Sequence, residues 1–80
     1  MTEQKIKCDE IHIGENIRRI RKEKNIKQVD LVRKVQLEGV LLTRESLVKI
    51  ERGIQHIYAT QLCAIKNALD TSYDELLMHK

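Results

Sequence analysis

Proline, phenylalanine and tryptophan are missing from this 80-residue chain, and tyrosine occurs only twice and glycine three times. Aromatic residues are enriched in strands, and proline and glycine punctuate the turns between them. Their scarcity argues against a sandwich or barrel and favours helices. Cysteine is nearly absent too. Cys8 lies in a polar leader and Cys63 inside an apolar helical stretch, so the two form no disulfide framework, and Cys63 reads as a small core residue. Metal ligands are equally sparse: Cys8 and His12 are four apart, His56 and His79 are isolated, and no paired ligand motif exists. No metal and no cofactor are expected. No apolar run approaches the ~20 residues of a membrane span, and "MTEQKIKCDE" lacks the apolar region of a signal peptide. The expected location is the cytoplasm, with no membrane partner. Catalysis has nothing to work with: there is no nucleophile–base pairing, no ligand cluster and no Gly-rich phosphate loop. An enzyme is not expected.

Eighty residues make one domain, near the lower limit for a self-sufficient core. The charge is unevenly placed along it. Residues 13–34 carry eight Lys or Arg against three acids, a net +5, whereas residues 35–53 are neutral and both ends carry −1. A basic first third around "RRIRKEKNIKQ" implies an anionic partner, most commonly nucleic acid. The plainer reading of the same run is a solvated helix face.

Apolar spacing predicts five short helices. The first covers about 15–24 and buries Ile13, Ile17 and Ile20, and "KNIK" breaks it. The second begins near Gln28, turns Leu31, Val32 and Val35 inward and stops before Gly39. The third, 44–52, starts at the N-cap Thr43 and ends at Gly53, with Leu47 and Ile50 inward. "GIQHIY" reads as a loop. The fourth, about 59–69, buries Leu62, Ile65, Ala68 and Leu69. The last opens on a capping box, Ser72 with Glu75, and carries Leu76, Leu77 and Met78. Residues 1–12 are expected to be a flexible arm or a short extended segment, and 13–80 the folded domain.

One carboxylate looks misplaced. Glu51 lies four after Leu47, on or beside the buried stripe of the third helix, where an unanswered charge is costly. In the first helix Arg21 lies four after Ile17 and borders the other buried stripe. Either the two form a bidentate pair tying helix to helix, or both snorkel to solvent.

Three segments together, "IGENIRRIRKEKNIKQVDLV", "LTRESLVKIERG" and "AIKNALDTSYDELL", resemble the phage Cro/CI-type (XRE-type) helix-turn-helix domain over about residues 13–77. The resemblance implies a compact all-α, five-helix bundle of the lambda-repressor-like type, with the helix-turn-helix at about 28–52. It implies an ion pair between Arg21 and Glu51, and a recognition helix, 44–52, in the major groove of double-stranded DNA. Base contacts would then fall to Thr43, Arg44, Glu45, Ser46 and Lys49. Arg44 or Lys49 suits O6 and N7 of guanine, Glu45 suits the cytosine amine, and Ser46 either reads a base or finishes the cap. Backbone contacts would fall to Gln28 and Lys27, to Arg52, and to Gln55 and His56 beyond the helix. Two departures stand out. The Gln28–Thr43 spacing is about five residues longer than usual, because "QLEGVLL" replaces a tight turn, and Val32 stands where a small residue is usual.

The function expected on this reading is a sequence-specific transcriptional regulator binding a (pseudo)palindrome as a homodimer through Leu76, Leu77 and Met78. For Met78, ordinary packing onto the core is an equal alternative. A phage repressor, a restriction–modification controller and an antitoxin are all plausible settings. The competing class is a protein-interaction module whose helix-turn-helix contacts another protein, favoured by Glu45 and by the neutral 35–53 segment.

Overall fold

The computed structural model describes Lys5–Ile6 and residues 12–78. Five helices follow one another: α1 Ile13–Glu23, α2 Gln28–Leu37, α3 Arg44–Glu51, α4 Ala59–Leu69 and α5 Tyr73–Leu76. Two-residue strands, β1 Lys5–Ile6 and β2 Ile57–Tyr58, pair antiparallel with Lys5 opposite Tyr58 and Ile6 opposite Ile57. The helices stand where apolar spacing put them, with ends differing by a residue or two. "GIQHIY" is only partly a loop, since its last two residues form β2. A two-residue ladder is too short to leave a period in the sequence. Most of the leader, on which the flexible-arm expectation falls, lies outside the described residues.

The helix ends explain why the connections are so short. After α1, α2, α3 and α4 the chain turns through a left-handed residue, at Asn25, Gly39, Gly53 and Asp70. Each turn pairs backbone donors with the last carbonyls: Ile26 N–H to Arg21 O (3.0 Å), Val40 to Val35 (3.4 Å), Ile54 to Lys49 (3.0 Å) and Thr71 to Lys66 (3.2 Å). This six-to-one bond is the Schellman stop. Two of the four stops use Asn or Asp, side chains that tolerate this conformation better than most.

The core gathers Ile13, Ile17 and Ile20 of α1, Leu31, Val32 and Val35 of α2, Leu47 and Ile50 of α3, and Leu62, Ala64, Ile65 and Leu69 of α4. Leu42, Ile57 and Leu76 complete it from outside those four helices. Ala68 is half-buried against it. In the long α2–α3 connection, Val40 and Leu42 pack inward and Leu41 is left 84% exposed. The carbonyls of Leu41 and Leu42 are held by the Gln61 and Gln36 amides at 3.1 and 2.9 Å. The extra residues thus extend from a stopped helix and fold back onto the core.

Two expectations are corrected here. Cys63 is exposed. Leu62, Ile65 and Leu69 fix the rotation of α4, and position 63 falls outside their stripe, where the Cys63 thiol lies beside Tyr73 and pushes its phenol pKa up. Leu76 is wholly buried in the core of its own chain, so it offers nothing to a second copy, and Leu77 is half-buried against that core. Of the three residues expected at a dimer surface, Met78 is the one with substantial exposure, at 45%.

α1 and α3 approach until their backbones touch. A Cβ on Gly14 would lie 1.8 Å from the carbonyl oxygen of Ile50, so only glycine fits. This crossing places the C-terminal half of α1 beside the outward face of α3.

Candidate nucleic-acid interface

The site is built around α3. Thr43 caps it, its Oγ1 accepting the Ser46 N–H at 3.1 Å, and the Thr43 hydroxyl pairs with Ser46 Oγ at 3.0 Å. Ser46 is therefore held in the cap and half-buried. Leu47 and Ile50 anchor the inner face. Arg44, Glu45, Lys49 and Arg52 stand exposed on the outer one, with Val48 half-buried among them. The N-terminal turn presents donors and acceptors with no buried obligation.

Behind α3 lies the network that fixes its angle. Arg21 Nε donates to Glu51 Oε2 at 2.8 Å and Nη2 to Glu51 Oε1 at 2.9 Å, a bidentate pair. Arg21 Nη1 donates to the Ile26 carbonyl at 2.9 Å, and Gln28 Nε2 adds a third bond to Glu51 at 3.1 Å. Arg21 and Glu51 are only 8% and 4% exposed, which settles that they pair and do not snorkel. Three elements thus meet at one carboxylate. Among the described residues no buried side-chain polar atom lacks a partner.

In front of the network, α1, the start of α2 and α3 enclose a groove formed by two adjoining concavities that share Arg18, Lys22 and Gln28. Arg52 lines one end, Lys27 and Arg44 the other. Among the described residues, Arg18, Lys22, Lys27, Arg44 and Arg52 have no acidic partner. Two acids line the groove: Glu51 is turned onto Arg21, and Glu15 lies 4.0 Å from His12 at the margin. The Lys27 side chain makes no cap bond to the first turn of α2, so its N–H groups point at the same space without a side-chain acceptor.

Expected and observed sites overlap in part. Gln28, Lys27, Arg44 and Arg52 are brought together in the groove. Glu45 and Lys49 are exposed on α3 beyond it, and Gln55 and His56 sit on the α3–β2 connection, half-buried and exposed respectively. Arg18 and Lys22 were missed. Their signal was available: they are four apart on α1, one position off the buried Ile17 and Arg21 stripe, and so share an outward face. Asn16 was missed as well. Its buried amide donates to the carbonyls of Leu76 (2.8 Å) and Met78 (2.9 Å), tying the end of the chain to α1.

No protein-family model matches the chain, and no curated protein matches it. Among solved structures it is similar to the high-resolution crystal structure of the restriction-modification controller protein C.AhdI from Aeromonas hydrophila. The two share 25% identity at a TM-score of 0.73, over 86% of this chain and 97% of that one. The chain has the Cro/CI-type helix-turn-helix fold. In it the Arg21–Glu51 pair joins α1 to the end of α3. The enlarged α2–α3 connection is accommodated without displacing either helix from the core. Among the described residues no helix is long and apolar enough to cross a membrane, and no group of three or more His, Cys, Asp or Glu side chains could hold a metal ion.

Proposed function

We propose that the protein is a sequence-specific, double-stranded DNA-binding transcriptional regulator with α3 as its recognition helix. The observation that carries this reading is the groove of five unpaired cations alongside the exposed face of α3. An α-helix fits the major groove, and its N-terminal residues reach base edges while flanking cations hold phosphates. Arg44 or Lys49 then engages guanine and Glu45 accepts from cytosine, with Thr43 and Ser46 at the helix start serving chiefly as the cap. Lys27, Arg52 and the N-terminus of α2 at Gln28 hold one strand's backbone, and Gln55 and His56 meet the other. Because the Gln28 side chain is committed to Glu51, its phosphate contact falls to the backbone N–H.

One domain reads too few base pairs for useful specificity, so the protein acts as a homodimer on a (pseudo)palindrome, through Met78 and the exposed edge of Leu77. The likeness to C.AhdI supports a controller role in a restriction–modification setting. Selection of bound duplexes from a random-sequence pool at physiological salt tests the whole reading. A palindromic motif is the expected result. Absence of any enriched motif would overturn it and point to a protein partner.

A further inference from the structure

The distribution of charge on α1 is uneven in a way that its amphipathic pattern does not require. Ile13, Ile17 and Ile20 are buried and fix the rotation of the helix. Arg21 is drawn inward to Glu51, and Arg19 is closed on Glu23 at 3.0 Å. Lys24 is spent on the Asp70 carbonyl at 3.0 Å. Arg18 and Lys22 remain, four residues apart, exposed and side by side, and both face the groove in each of its two halves. Opposite them stand Arg44 of α3 and Arg52 just past its end, and between them lies the uncapped first turn of α2. Of the two acids in the groove, Glu51 is taken up by Arg21 and Glu15 lies at the margin beside His12, so the cations outnumber the acids and repel one another, a cost that an anion would relieve. The groove is elongated, carries cations at both ends and runs alongside α3, so it suits the repeating charge of a nucleic-acid strand better than a single small anion.

We propose that α1 is part of the DNA interface, with Arg18 and Lys22 seating a backbone phosphate between α1 and α3, above the Arg21–Glu51–Gln28 network. This inference rests on the DNA-binding reading and adds a third element to it. Arg18 and Lys22 position the duplex and read no base. The buried network is the floor of the seat, so the orientation of α3 and the position of the phosphate are set by the same three helices.

The test is a salt titration of binding to a fixed random-sequence duplex, alongside base preference measured on a duplex pool. The proteins are wild type, Arg18→Ala, Lys22→Ala, the double variant, Arg18→Lys and Arg33→Ala. One seated phosphate contributes about 0.9 to the log–log salt slope, so the double variant should flatten the slope by about 1 and each single alanine variant by part of that. Base preference should stay as in wild type. Arg18→Lys should keep the slope, and Arg33→Ala, which removes an exposed charge outside the groove, should leave it unchanged. A neutral methylphosphonate placed singly along the duplex should weaken wild type at one position and leave the double variant indifferent there. An unchanged slope in the double variant, or an altered base preference, would overturn the inference while leaving the DNA reading intact. A wild-type protein that binds no duplex would overturn the DNA reading itself. Both side chains are exposed, so melting curves of the variants should match wild type.

Discussion

Glu51 and Arg21 each carry three hydrogen bonds, and Glu51 is the carboxylate on which three helices meet. It accepts two bonds from Arg21 and one from Gln28 while almost wholly buried. Replacing it by alanine leaves the Arg21 guanidinium buried without its counter-charge, a loss of about 3–5 kcal/mol that thermal or urea unfolding should register. An unchanged midpoint would show that the pair carries no structural weight. Arg44 and Lys49 make the opposite prediction. Both are exposed and unpaired, so alanine at either should leave stability unchanged, cost about 1–3 kcal/mol on the selected site and relax its base preference. Equal binding to all sequences by wild type and both variants would remove α3 as the reader. At this scale the sequence was legible wherever a charge bordered an apolar stripe, as with Arg21 and Glu51. It was not legible where a polar residue found its partner far along the chain. Asn16 meets carbonyls sixty and sixty-two residues away, and Gln28 meets Glu51 from another helix, and no local spacing encodes either contact. Cys63 was misplaced for a related reason: in a short helix rich in apolar residues, rotation is decided by what packs from other elements.

The elements themselves were readable because their stops are local. Asn25, Gly39 and Gly53 end helices through bonds made within six residues, and Thr43 and Ser72 start them the same way. Their crossing was not readable, since it depends on Gly14, which looks like a helix-weakening residue until Ile50 is placed over it. Gly14→Ala gains intrinsic helix propensity of up to about 1 kcal/mol, yet a Cβ 1.8 Å from a backbone oxygen cannot be accommodated without parting α1 from α3. The clash should win. The variant should melt well below wild type and lose DNA affinity on every sequence, because the groove lies between the two parted helices. A stability equal to or above wild type would mean that the crossing is loose. The α2–α3 connection shows the converse, in that added length was absorbed by one alternation, with Val40 half-buried, Leu41 exposed and Leu42 buried, and both outer residues on the core.

At the scale of the whole molecule, the end of the chain is fastened to the same helix that carries the basic groove. Leu76 is buried in the core, and Asn16 of α1 holds the carbonyls of Leu76 and Met78. The surface proposed for a second copy at this end would therefore be held in fixed relation to Arg18, Lys22 and α3, as a reader of two fixed half-sites requires. Half-sites one helical turn apart, about 34–36 Å, demand that relation, because a loosely tethered dimer would not select spacing. Met78→Asp puts a charge on the exposed thioether position without touching the core. Sedimentation should show it shifted toward monomer, with affinity for a palindromic duplex reduced and affinity for an isolated half-site unchanged. Asn16→Leu should weaken the palindrome too, but by a different route, leaving two C-terminal carbonyls without a donor and costing about 1–3 kcal/mol of folding stability. If Met78→Asp sediments and binds as wild type does, the second copy meets the protein elsewhere. Tyr73, 41% exposed beside Cys63 and Lys66 on the α4–α5 face, is then the next apolar surface to charge.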